Sequence, residues 1–164
     1  MLKGMEEIPE AILLRGLIHA NSGDESLAEL DFLSAIGAMR GDTDPLVRRL
    51  VGRAYANLAL LGTGEIYDEY ASEALIFGPS DPVVRVLAGR RLDSAGFREH
   101  AAEQLDVAVN LGPETALVHY ARGSFYMDYG DKHARTLSSW HRYRQLKPTG
   151  PRARRVESRL QALQ

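Results

Sequence analysis

The sequence predicts an all-α solenoid of stacked helical hairpins, and three observations carry that prediction. Gly16, Gly52, Gly89 and Gly123 recur at intervals of 36, 37 and 34 residues, a spacing that marks one supersecondary unit copied along a chain. Each glycine lies midway through a stretch whose apolar residues recur at helical spacing. Each such stretch is followed by a second helical pattern with its own recurring small and large positions. Strand signals are weak by comparison, because alternation is poor and β-branched runs are short.

The first unit opens at Pro9, places Ile12, Gly16 and His19 on one face, breaks at Gly23-Asp24, and continues with Ala28, Phe32, Ala35 and Ile36. The second opens at Asp44-Pro45, where aspartate can cap the helix and proline sits in the first turn without losing a needed donor. It carries Gly52 and Tyr55 on a first helix expected to run about one turn longer than the others. Gly62 and Gly64 break it, and Tyr67, Ala71, Ala74 and Leu75 follow. The third opens at Asp81-Pro82 and holds Gly89, a break near Gly96, and then Ala101, Leu105, Ala108 and Val109. The fourth holds Gly123 and Tyr126, a break at Gly130-Asp131, and Thr136, Trp140 and Tyr143. A last helix after Pro151 carries Ala153, Val156, Leu160 and Leu163 on one side. Glycine in a helix costs about 1 kcal/mol against alanine, so its recurrence calls for a packing reason. That reason is the close approach of paired helices, and a bulky residue at Gly89 is expected to cost roughly 1–3 kcal/mol.

With 164 residues, 45% hydrophobic and 26% charged, the chain can bury the core of one ordinary globular domain. The first ten residues hold three glutamates and one lysine, which is wrong for a secretory signal, and no apolar run is long enough to span a membrane. There is no cysteine, hence no disulfide framework and no thiol nucleophile. A cytoplasmic protein is expected. Charge is unevenly spread along the chain. Met1 to Asp44 holds nine acids against three bases, a net of −6, and Arg142 to Arg159 holds seven bases against one acid, a net of +6.

On these residues the chain resembles the tetratricopeptide-repeat family. The matching signs are a small residue midway along the first helix and an aromatic three residues later, as in Gly123 and Tyr126. A Gly-Asp turn, a small-large-Ala series on the second helix, and a closing proline complete the pattern. His19 and Leu92 stand where the aromatic is usual, the second unit carries an insertion, and Thr136 takes a position usually held by alanine. The resemblance covers nearly the whole chain. It implies a right-handed α-α superhelix within a single domain over 1–164, with units at about 9–44, 45–81, 82–115 and 116–149 and a capping helix at 151–163.

The same resemblance implies that the first helices line a concave wall that holds a peptide or protein segment. The positions expected to make contact there are Leu13, Leu17, Arg49, Arg53, Val86, Leu87, Arg90, Tyr120 and Ser124. Apolar residues at Leu13, Leu17, Leu50, Val83 and Leu87 exclude the lysine-, asparagine- and arginine-based clamp for a C-terminal carboxylate. A wall mixing apolar residues with Arg49, Arg53 and Arg90 suits a protein segment with apolar anchors and acidic residues. The alternative is that these apolar residues pack against neighbouring helices and the arginines reach into water. The aromatics of the fourth unit divide in the same way, between a contact pocket and core beneath the cap. Arg152, Arg154, Arg155 and Arg159 are read as the solvated outer face of a cap. The other option couples that basic end to the acidic beginning of another copy, a head-to-tail contact that makes rings or filaments.

Chemistry is not expected. Gly62-Thr63-Gly64 is too short for a nucleotide fingerprint and lies between helices. His19, His100, His119, His133 and His141 form no metal-ligand spacing, and His19 and His119 read as packing residues. Ser138-Ser139 has no evident base. No nucleic-acid-reading motif occurs, and the pI is near 6.2, so neither a nucleic acid, a membrane nor a cofactor is anticipated. The expected role is a non-enzymatic scaffold or adaptor for a protein partner, with self-assembly as the alternative.

Overall fold

A computed structural model describes residues 8–129 and 133–163. Among these, every regular element is helical: α1 (Pro9–Ser22), α2 (Glu25–Met39), α3 (Pro45–Leu58), α4 (Glu65–Phe77), α5 (Pro82–Ser94), α6 (Arg98–Leu111), α7 (Ala116–Asp128), α8 (His133–Leu146) and α9 (Pro151–Gln161). The break expected at Gly130-Asp131 lies outside the described residues. Helices pair as α1–α2, α3–α4, α5–α6 and α7–α8, and each second helix then packs on the first helix of the next pair. The first helices α1, α3, α5 and α7 also touch in succession and form one wall, while α9 packs its backbone on α8.

Local chemistry sets where the helices begin and end. The Asp44 and Asp81 carboxylates accept from the backbone N–H groups of Leu46 at 2.7 Å and Val83 at 2.8 Å, each with proline in the first turn. At the close of α1 and α5 the chain turns through Gly23 and Gly96, both at φ 87°, a left-handed conformation that glycine adopts without penalty. Asp24 N–H then donates to the His19 carbonyl and Phe97 N–H to the Leu92 carbonyl, satisfying carbonyls that the helix end leaves open.

The second unit differs from the sequence expectation. Its first helix α3 has 14 residues, the same as α1. The inserted residues instead form a wider turn between Leu58 and Glu65. Arg91 of α5, only 4% exposed, ties this turn down: its guanidinium donates to the Gly62 and Gly64 carbonyls and pairs with Asp68 at 2.7 Å. The Gly62 and Gly64 carbonyls are thus held from the neighbouring hairpin.

The recurring glycines sit where helices meet. A methyl group on Gly52 would lie 2.8 Å from the Gly78 backbone nitrogen, and one on Gly16 would lie 2.8 Å from the Phe32 ring. One on Gly123 would collide with the fully buried Trp140 indole. Gly89 is the loosest of the four, with its nearest neighbours at 3.3–3.4 Å. Trp140 and Phe32 are fully buried, and removing a large side chain from water in this way contributes about 2–3 kcal/mol. Thr136, the departure noted above, leaves its hydroxyl buried with no hydrogen-bond partner among the described residues, as does the Trp140 indole N–H. Such orphaned groups cost stability.

Candidate functional site

The wall of first helices holds its arginines in two ways. Toward the N-terminal end Arg15, Arg49 and Arg53 close onto buried acids. The guanidinium of Arg15 on α1 forks onto Asp31 of α2, with contacts of 3.0 and 2.8 Å. This hydrogen-bonded pairing holds the Asp31 carboxyl below its ordinary range, against the opposing effect of burial. Arg49 and Arg53 of α3 both reach Asp81, at 2.9 and 2.7 Å, and the Asp81 side chain has no exposed surface. Because Asp81 also caps α5, one carboxylate joins the second hairpin to the third. Arg49 and Arg53 are therefore held in the fold and do not stand free in a groove.

Toward the C-terminal end a cavity of 410 Å³ opens between α5, α7 and α9. Leu87 and Arg90 come from α5, Leu117, Tyr120, Ala121 and Ser124 from α7, and Arg152, Arg155 and Arg159 from α9. The gap exists because α9 packs on α8 and stands off from α7. Ala153, Val156 and Leu160 point into a small core with Trp140 and Tyr143. The residue preceding each of them is an arginine turned about 100° away, toward the cavity. Arg152 lies over the Tyr120 ring at 5.4 Å and Arg159 over Trp140 at 5.9 Å. Tyr120 in turn packs on Tyr143, with ring centroids 5.4 Å apart.

The structure therefore gathers Leu87, Arg90, Tyr120 and Ser124 around one cavity, with Val86 beneath it and fully buried. It does not bring the remaining candidates there. Leu13 is buried in the N-terminal core, Leu17 packs against that core, and Arg49 and Arg53 sit on Asp81. Three contributors, Arg152, Arg155 and Arg159, come from the helix read as an outward-facing cap. Their offsets of three and four put them on one face, and that face adjoins the apolar stripe, which is the signal that could have found them.

Other features do not form a site. A more open hollow of 510 Å³ is lined by Glu65, Asp68, Glu69 and Glu73 of α4 together with Arg40 and Tyr55. His119 is buried with its Nε2 2.8 Å from the Pro113 carbonyl, and His19 lies 3.7 Å from Asp31, so both are packing residues. The side chain of His133 lies outside the described residues. Among the described residues no cluster of three or more His, Asp or Glu could hold a metal ion, and no helix is long and apolar enough to cross a membrane.

Helical hairpins stacked through small residues, with first helices forming a continuous wall, define a tetratricopeptide-repeat-like solenoid. Solved structures bear this out. TTC0263, a thermophilic tetratricopeptide-repeat protein of Thermus thermophilus, aligns with a TM-score of 0.73 at 19% identity, covering 97% of this chain and 84% of that one. MamA from residue 41 onward, of Desulfovibrio magneticus RS-1, aligns at 0.59 and 19% identity, covering 87% and 77%. YrrB, a tetratricopeptide-repeat protein with an unusual peptide-binding site, aligns at 0.57 and 17% identity, covering 92% and 74%. No protein-family model and no curated protein matches the sequence. The fold is the one its repeats imply.

Proposed function

We propose that this chain is a non-enzymatic interaction scaffold that holds a segment of a protein partner against its wall of first helices. The observation that carries this reading is the cavity between α5, α7 and α9, where four of the expected contact positions converge. Its apolar floor of Leu87, Leu117 and Tyr120 can take an anchoring side chain, and its arginines can meet acidic groups. A wall fixed by buried ion pairs and tight glycine contacts need not reorganise on binding, which lowers the ordering cost. The peptide-binding site of the similarly folded YrrB supports the same reading. The lack of cysteine suits a cytoplasmic scaffold.

Self-association through the chain ends is a second reading, favoured by one observation. At the position two residues after the repeat glycine, Ala54, Arg91 and Phe125 are all buried, whereas Ile18 is 66% exposed. Leu14 is likewise 61% exposed, while its counterpart Leu87 is buried. The first hairpin thus presents an apolar edge that none of the described residues covers.

Ser124→Trp separates the two readings. Ser124 is half-buried at the cavity, so an indole there fills the space with little change to the helix. The scaffold reading predicts loss of peptide capture, roughly tenfold or more, with unchanged helicity by circular dichroism. Capture that survives the filled cavity contradicts it.

A further inference from the structure

The cavity between α5, α7 and α9 carries positive charge that the described residues leave only partly neutralised. Arg90 enters from α5, and Arg152, Arg155 and Arg159 enter from α9. Arg15, Arg49, Arg53, Arg91, Arg122, Arg135, Arg142 and Arg144 each pair with an acid. Among the described residues, none of the four cavity arginines does. Two carboxylates share the space. Asp93 already accepts the Tyr129 hydroxyl, which raises that hydroxyl's pKa, and Asp128 is exposed. Four guanidiniums against two carboxylates leave a formal surplus of +2.

These charges sit above an apolar floor, and two of the guanidiniums rest on aromatic faces. That stacking limits their freedom and aims their donors. Carboxylates suit them, because the fork of a guanidinium matches a carboxylate in two parallel hydrogen bonds. We propose that this cavity is the site for an acidic peptide segment, one whose carboxylates bracket an apolar side chain. The apolar group enters between Leu87, Leu117 and Tyr120, and the carboxylates meet Arg90 on one side and the α9 arginines on the other. On this account α9 serves as the specificity element of the wall as well as its cap. The assignment rests on the reading that the wall holds a protein segment, and it adds the chemistry of that segment.

A random-peptide phage library panned on the full chain tests it. The selected peptides should be rich in Asp and Glu around Leu, Ile or Phe. Arg90 and Arg155 are exposed and pair with no acid among the described residues, so the double variant R90A/R155A should fold normally. It should bind the selected peptides roughly tenfold more weakly or worse, with a flattened salt dependence. Arg154 lines a separate hollow beside Pro148 and Glu157, and R154A should leave affinity unchanged. Neutral or basic peptides whose capture is lost in Ser124→Trp would overturn the acidic assignment while leaving the scaffold reading intact. Peptides indifferent to Ser124→Trp would overturn both. Tighter capture of a single-stranded oligonucleotide than of any selected peptide would hand the arginines to phosphates and overturn the proposal. Self-association that disappears in R90A/R155A would hand them to a second copy, with the same consequence.

Discussion

Arg49 and Arg53 close onto the buried Asp81, whereas Arg90, one hairpin further along the same wall, pairs with no carboxylate among the described residues. The sequence treats these three positions alike: each lies on a first helix, close to a repeat glycine. What separates them is the acid supplied by another element. Asp81 stands at the start of α5, within reach of α3, and α7 starts with Thr115 in the equivalent place. An arginine with an acid beneath it stiffens the stack, whereas Arg90 keeps its guanidinium exposed at the cavity. Under the proposed function, the Asp81 joint serves structure and the cavity between α5, α7 and α9 serves recognition.

The division breaks most visibly at Asp81. Asp81→Ala removes the cap of α5 and the shared acceptor of Arg49 and Arg53. A lost cap costs about 1 kcal/mol and lost charge-assisted hydrogen bonds add to it. The arginines, at 52% and 34% side-chain exposure, recover water. We expect a net loss of about 2–3 kcal/mol in urea unfolding. A loss below about half a kcal/mol would mean that this joint is not structural.

The glycines sharpen the comparison at slightly lower cost. Gly52→Ala pushes a methyl into the backbone of Gly78, and Gly123→Ala pushes one into Trp140. Each should cost roughly 1–3 kcal/mol. Gly89→Ala meets neighbours at 3.3–3.4 Å, and the helix propensity of alanine offsets that by up to about 1 kcal/mol. Its unfolding midpoint should stay close to that of the parent chain. Equal losses at all three positions would show that the glycines are not graded by contact.

The smallest effect lies at Asp31. Arg15 lowers its folded pKa below the ordinary 3.8, so the unfolded chain binds the proton first as acid is added. The stability this pairing contributes is therefore complete above about pH 4. It is lost as pH falls through the lower folded value. Unfolding curves across that window should be less pH-dependent in Asp31→Asn, and an identical slope in the two chains would rule out the linkage.

The repeat glycines, the two aspartate caps and the order of hairpins were legible because they depend on spacing and on local backbone chemistry. Length of α3 was not, since Gly62-Thr63-Gly64 is fixed by Arg91 from a later hairpin. The candidate cavity was half legible. Leu87, Arg90, Tyr120 and Ser124 follow from helix position alone. Arg152, Arg155 and Arg159 depend on which way α9 rolls when Ala153, Val156 and Leu160 bury against Trp140, a tertiary outcome. Arg49 and Arg53 lie outside the cavity for the same reason: their partner Asp81 comes from another hairpin.

The most direct test measures capture of the selected peptides by R49A/R53A and by R90A/R155A side by side, in folded protein. The account predicts that the first pair retains near-parental affinity with reduced stability, and that the second keeps its stability and loses affinity roughly tenfold or more. The reverse pattern, with binding lost at Arg49 and Arg53 and kept without Arg90 and Arg155, would contradict it.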